Sequence, residues 1–283
     1  MNATLRASCY CFDGNMGMPC AVARHIANLQ ICNSDEKLPA FEAAMIREIA
    51  ATAKRRLARG VARSVANVAG YGPRLIVRVH SSGDFYSPSY LMAWQRIARA
   101  VDGVAILVAY TRTWRKPSYH AALAYLACEP NFYLQASVDP SIAHEAIPPF
   151  FYRKAFVEGS IGAPPVNCEK QLIKGANCVS CKKCFEGTDA QVTFGVHGRI
   201  AEATAAQWRI VEPRKVRPNK CRPTMPRDWR NYLPRAREIV ADAMTGGRGK
   251  LLTYNAPLGL LTWNIAAGFT CPGKSAWCCG GVA

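Results

Sequence analysis

Leu75-Ile76-Val77-Arg78-Val79-His80-Ser81-Ser82-Gly83-Asp84-Phe85-Tyr86-Ser87-Pro88 is a strand, a polar loop and a helix start in fourteen residues. Branched apolar residues fill 75–79, and the run stops at polar Ser81-Ser82-Gly83-Asp84. Ser87 is placed to cap a helix that has Pro88 at its first position. Leu91, Trp94, Ile97 or Ala98, and Val101 then recur at helical spacing on one face. The same unit recurs downstream. Residues 104–109 form an apolar run ending at Tyr110-Thr111-Arg112, a helix is expected over 117–127, and a third strand over 132–136 ends at Ser137-Val138-Asp139-Pro140. A further strand is expected over 191–196.

Strand, loop, helix, strand is the pattern of parallel sheets, because parallel neighbours need a crossover and the crossover is usually a helix. The expected fold is therefore α/β, a partial (β/α) barrel with parallel strands. Ligand sites in such folds gather at strand carboxyl ends, where Ser82, Asp84, Thr111, Arg112, Ser137, Asp139 and His197 are placed, although for His197 a satisfied rim histidine is the more ordinary role. Upstream, Phe41, Met45, Ile49, Ala53 and Leu57 mark one helix face that Gly60 ends, and a shorter helix is expected up to Gly70. Residues 234–244 read as a helix stopped by Gly246-Gly247.

Residues 159–187 differ in kind. They hold Pro164-Pro165, few large apolar side chains, and Cys168, Cys178, Cys181 and Cys184, the last three at every third residue. Such a segment cannot build its own core, and it reads as a cysteine-rich metal-binding insertion. The rest, 1–158 and 188–283, is expected to form a single barrel-like domain closed through adjacent termini. The close rhythm resembles a loop that wraps an iron-sulfur cluster, while four thiolates also satisfy tetrahedral zinc. Thiolates lie at both chain ends too: Cys9 and Cys11 at one, Cys271 and the adjacent Cys278 and Cys279 at the other. Adjacent cysteines rarely share an ion, so one of each close pair is expected to be a ligand. Thirteen cysteines, an odd number, set close together argue for thiolates on metal in a reducing compartment rather than a disulfide framework.

The formal charge is +17, and 209–250 carries twelve Lys or Arg against four Asp or Glu. That excess points to an anionic substrate or nucleic acid as partner, although no aromatic residues alternate with the charges as a stacking platform would need. No run reaches the length of a membrane span and no signal peptide opens the chain, so a cytoplasmic protein without membrane contact is expected. Ser-His-Asp order, a glycine-rich phosphate loop and paired metal histidines are all lacking, which weighs against hydrolase and nucleotide-triphosphate chemistry.

Read across the joined ends, Asn264-Ile265-Ala266-Ala267-Gly268-Phe269-Thr270-Cys271-Pro272-Gly273, then Cys278, then Cys9-Tyr10, the composite resembles the opening of the phage gene product 88 family. Arg78-Val79-His80-Ser81-Ser82-Gly83-Asp84-Phe85-Tyr86-Ser87, Trp94, Ala109-Tyr110-Thr111-Arg112, the Ser137-Val138-Asp139 strand end and the C-x2-C-x2-C loop match it in order. The motif that opens the family comes last here, so the chain resembles a circular permutation, one encoded by a phage and housed in the host cytoplasm. At the fold level the family is similar to radical S-adenosylmethionine enzymes. That resemblance implies one or two iron-sulfur clusters, of the 4Fe-4S type, with Cys9, Cys271 and Cys278 as ligands and Tyr10 as a shield. It also implies S-adenosylmethionine near Ser82, Gly83, Asp84, Thr111, Arg112, Ser137 and Asp139, and an external electron donor. The spacing departs from the usual C-x3-C-x2-C of those enzymes.

Overall fold

A computed structural model describes residues 23–60, 65–80, 83–186 and 191–195, the backbone of 19–22, 253–255 and 260–263, and positions 234, 237, 238 and 241. In chain order the elements are α1 (Pro19–Cys32), α2 (Leu38–Ala58), β1 (Val65–Val68), β2 (Gly72–Val79), α3 (Pro88–Ala100), β3 (Ala105–Thr111), α4 (His120–Ala127) and β4 (Phe132–Val138). Then come β5 (Arg153–Val157), two single-turn helices, α5 (Glu169–Leu172) and α6 (Cys178–Cys181), and the strands β6 (Gln191–Phe194), β7 (Thr253–Asn255) and β8 (Leu260–Trp263).

These strands make one sheet in the order β6-β5-β4-β3-β2-β8-β7, with β1 on β2. Neighbours from β8 through β2 to β6 are parallel, whereas β1 and β7 pair antiparallel. The sheet is an open half-barrel, mixed α/β with mostly parallel strands, as its alternation of elements leads one to expect. Its order contains one long-range insertion. β8, the last described strand, lies beside β2 with Trp263 opposite Val79, so both strands end at the same edge. β1 occupies the first half of that same flank of β2, from Leu75 back to Gly72.

Side chains alternate across each strand, so the sheet has two buried faces. Leu75, Val77, Val79, Leu107, Ala109, Leu134 and Ala136 form the outer one, packed with Phe41, Met45 and Ile49 of α2, Leu91 and Trp94 of α3 and Leu123 of α4. Ile76, Ile106 and Val108 form the inner one, with Phe185 beside them and Cys178, Val179 and Cys184 packed against the group. Between β5 and β6, then, the chain crosses over through the cysteine-rich segment, and part of that segment covers the inner face. The start of α3 follows the expected chemistry: Ser87 Oγ accepts from the Tyr90 amide at 3.1 Å, with Pro88 at the first position.

Two expectations are corrected. Residues 65–68 are a strand and not part of a short helix, because Val65 and Val68 are β-branched and a turn holding Gly70 and Gly72 at φ 78° and 69° folds them back on β2. The helix expected over 117–127 begins as a 3-10 turn, Pro117–Tyr119, and is α-helical only from His120. β5 has no counterpart in the sequence reading, since Arg153 and Lys154 mask a strand of five residues. The helix expected over 234–244 is met at Pro234, Arg237, Glu238 and Ala241, which have helical backbone; its other positions lie outside the described residues. No described helix is long and apolar enough to cross a membrane.

His80, just past β2, is buried and holds φ 60°. Its Nε2 meets Tyr90 Oη at 2.9 Å, and burial lowers its pKa from 6.5 to about 3. Burial, aided by Arg24, lowers His25 to about 4. From pH 6.5 down to those values the unfolded chain binds protons that the folded chain refuses, so stability falls as pH drops. The limiting slope is about 1.4 kcal/mol per pH unit for each imidazole. In denaturant titrations at pH 4.5 to 6.5, His80→Asn, which tolerates the left-handed backbone, is expected to lose about one proton's worth of that slope. An unchanged slope would show that His80 titrates normally in the fold.

Candidate functional site

Two polar groups stand out, one at the carboxyl ends of β2, β3 and β4 and one on the inner face. At the strand ends the chain turns at Gly83, whose φ of 83° a side chain would resist. Asp84 then reaches across to β3. Its Oδ1 accepts from the Phe85 amide at 2.7 Å and from Thr111 Oγ1 at 2.6 Å, and its Oδ2 accepts from the Arg112 amide at 2.8 Å. Burial pushes the Asp84 pKa up, and these three donors pull it back toward the ionised form. Arg112 in turn pairs through Nη1 with Asp139 Oδ2 at 2.6 Å, past the end of β4. Asp139 also accepts from the Ser141 amide at 2.9 Å.

Asp84, Thr111, Arg112 and Asp139 thus form one continuous bonded chain over three strand ends. Ser137 is not bonded into this chain; its carbonyl accepts from Trp114 Nε1 at 3.0 Å. Arg112 Nε is buried and has no hydrogen-bond partner among the described residues. The loop after β3 adds groups that the sequence reading passed over. Arg115 Nε donates to Glu145 Oε2 at 2.6 Å, and partial burial brings Lys116 down to about 8, against the pull of Asp84. Their signal was the cationic run Arg112-Thr113-Trp114-Arg115-Lys116 directly after a strand.

On the inner face, Asn177 builds a capping box with Ser180 around the single turn that carries Cys178 and Cys181. Lys182, left-handed at φ 60°, turns the chain so that Cys184 and Phe185 come back toward the sheet. The Cys184 carbonyl accepts from Gln135 Nε2 at 3.0 Å, which pins this loop to β4. Cys168 and Cys181 each lie within electrostatic reach of Cys178 and Cys184. Burial pushes Cys178 up to about 12 and raises Cys168 and Cys184. Four soft donors suit a thiolate-bound metal in kind. Among the described residues, however, no three His, Cys, Asp or Glu side chains converge at single-ion spacing.

Cys9, Tyr10, Ser82, His197, Cys271 and Cys278 lie outside the described residues. A groove of about 430 Å³ lined by Gln30, Asn33, Ser34, Lys37, Arg237 and Ala241 contains none of the residues of either polar group.

Parallel half-barrel, bonded polar strand ends and a cysteine-bearing crossover define a mixed α/β protein of the half-barrel class. The family model for gene product 88 matches residues 2–187, well over half of the chain. The chain belongs to the gene product 88 family, a family of phage proteins. No curated protein and no solved structure matches it. The family match ends before 264–278 and so does not reach the stretch expected to carry the family's opening motif.

Arg112 and Asp139 are both largely buried, at 17% and 7% side-chain exposure. Arg112→Gln is expected to cost about 3 kcal/mol, because it leaves the Asp139 carboxylate enclosed without its cation. Adding Asp139→Asn should recover part of that loss. A double-mutant cycle in urea checks this, and additive costs would show that the pair is not coupled.

Proposed function

We propose that this member of the gene product 88 family is an iron-sulfur protein with radical S-adenosylmethionine-type chemistry, acting on an anionic substrate. The observation that supports it is the place of β8. The last described strand takes the position before β2 and ends level with it, at the edge where Asp84, Thr111, Arg112 and Asp139 gather, and the cysteines of 271–279 follow it closely in sequence. In this reading Cys9, Cys271 and Cys278 hold one cluster, and Cys168, Cys178, Cys181 and Cys184 hold a second cluster or zinc.

A reduced cluster would supply the electron that splits the carbon-sulfur bond of S-adenosylmethionine. The chain's own work is binding and orientation. Gly83 lets a ligand approach the backbone closely. Asp84, with two acceptor oxygens and three protein donors already bound, keeps limited capacity for an ammonium group. Arg112, with its buried Nε, suits a carboxylate or phosphate, and Ser137 and Asp139 border the same edge. The basic 209–250 stretch favours nucleic acid or a modified nucleotide as the anionic substrate.

A second reading draws on the packing of Cys178 and Cys184 against the apolar inner face: a non-catalytic nucleic-acid-binding protein with structural zinc or iron-sulfur sites. A third is an electron-transfer or cluster-carrier protein. Protein purified without oxygen separates them. The enzyme reading expects iron and acid-labile sulfide, and 5′-deoxyadenosine after addition of reductant and S-adenosylmethionine. Cys271→Ala should abolish that product, and Cys181→Ala should lower metal content. Zinc alone with salt-sensitive DNA or RNA binding supports the second reading, and iron and sulfide without the product supports the third. Full metal content in both variants overturns the ligand assignments.

A further inference from the structure

The groove lined by Gln30, Asn33, Ser34, Lys37, Arg237 and Ala241 is built where α1 passes into α2. Ile31, Cys32 and Leu38 are buried on either side of that passage, and the residues between them lie at the surface. The passage is a closed unit. The Asn33 backbone amide donates to the Leu29 carbonyl at 2.8 Å and ends α1. The Lys37 backbone amide donates to the Ser34 carbonyl at 2.9 Å and closes a 3-10 turn, Asp35–Lys37. With these backbone groups bonded to one another, the groove is presented mainly with side chains.

Most of those side chains are polar and uncommitted. Ser34 stands at the N-cap of the turn, yet its hydroxyl makes no capping bond. Among the described residues no acid pairs with Lys37 or Arg237, and no hydrogen bond engages the Gln30 side-chain amide. Asp35 and Glu36, on the same turn, are not in the lining. The contrast with the arginines of α3 and of the loop after β3 is plain, since Arg96, Arg99, Arg112 and Arg115 each lie within 2.7 Å of a carboxylate. Two cations from distant parts of the chain that share one groove without a carboxylate raise its potential together, and an anion offsets it.

The volume of about 430 Å³ is that of a small-molecule site and is far larger than one phosphate group needs. Lys37 and Arg237 suit the phosphate. Gln30 offers a donor and an acceptor on one group, the pairing that reads the edge of a base. The groove also flanks the edge where the strand-end residues gather. α2 begins directly after Lys37, and Phe41 in its first turn lies 5.9 Å from Tyr90 and 5.7 Å from Trp94 between ring centroids. Both belong to the start of α3, which follows closely on Asp84. We propose that this groove binds a phosphorylated nucleoside unit, free or within a strand, with Lys37 and Arg237 on the phosphate and Gln30 and Ser34 on the base or sugar. The inference rests on reading the anionic partner as nucleic acid or a nucleotide, and Arg237 lies in the cationic 209–250 stretch that supports that reading.

The test uses the full chain with two kinds of probe, the common nucleoside 5′-monophosphates by calorimetry and a fluorescein-labelled single strand by anisotropy. Inorganic phosphate serves as competitor, and thermal unfolding is followed in parallel. Lys37→Gln and Arg237→Gln are each expected to weaken binding about 10–100-fold, whereas Lys54→Gln, at an exposed position of α2, leaves it unchanged. Gln30→Leu should change the order of preference among the bases, and it decides the matter if the cation variants do not fold. Mononucleotides bound as tightly as the strand assign the groove to a free nucleotide. Binding of the strand alone, with a salt slope that falls by about 1 in each cation variant, assigns it to a unit within a strand. Binding that survives both cation variants, that falls equally in Lys54→Gln, or that inorganic phosphate displaces as readily as a nucleotide does, overturns the groove and leaves the nucleic-acid reading standing. An unchanged order of bases in Gln30→Leu, where that variant decides, overturns it too. If the unaltered chain binds neither probe, the nucleic-acid reading falls with it.

Discussion

A parallel strand in this sheet has no wet face, so β2, β3 and β4 require cover on both sides, and everything else in the fold follows from how that cover is found. Helices supply one side by the ordinary crossover rule: α2, α3 and α4 lay Phe41, Leu91, Trp94 and Leu123 over the odd residues of β2 and β3. For the other side the chain has no helix of comparable length among the described residues. It uses a loop with two single helical turns, whose large buried apolar side chain is Phe185. Cysteines serve there as small hydrophobes. Burial raises the pKa of Cys168, Cys178 and Cys184, which favours the protonated, apolar form of each.

Hydrogen bonds do at the strand ends what apolar packing does in the middle. The Asp84 carboxylate ties the loop after β2 to the last residue of β3 and to the amide that follows, and Arg112 carries the link on to Asp139. Three separate loops are thereby held at fixed positions relative to one another. A ligand arriving at this edge would meet a preset arrangement and would not have to order the loops itself.

The outer half of this architecture was legible from residue type and period. Alternating branched residues in 75–79 and 104–109, the Ser87-Pro88 start and the Leu91, Trp94 and Val101 stripe each carry a local signal, and each became the expected element. Asp84, Thr111, Arg112 and Asp139 were legible as strand-end residues, because polar residues that stop an apolar run in a parallel sheet have few other places to be. Their mutual bonds were not, since partners 27 and 28 residues apart leave no trace in local sequence. The inner face was harder still. Arg78 and Tyr110 read as interruptions of apolar strands until the register sets them side by side, and β5 hides because Arg153, turned inward onto Tyr133, looks like a surface residue. β1 misled for the opposite reason: its four residues are too few to display a period.

The seat of β8 has a consequence for how the protein is made. During synthesis β2 and β3 emerge in close succession and can pair at once, yet the flank of Val77 opposite β3 stays bare until Leu261 emerges, long after both. The exposed edge of a central strand must therefore persist while the stretch between β3 and β8 is made, guarded over its first half by the hairpin with β1. A ribosome that stalls or a message cut short would release a half-finished sheet with an open template for pairing. Vectorial synthesis thus makes the arrival of β8 decide whether the nascent sheet is closed or is left as a seed for aggregation.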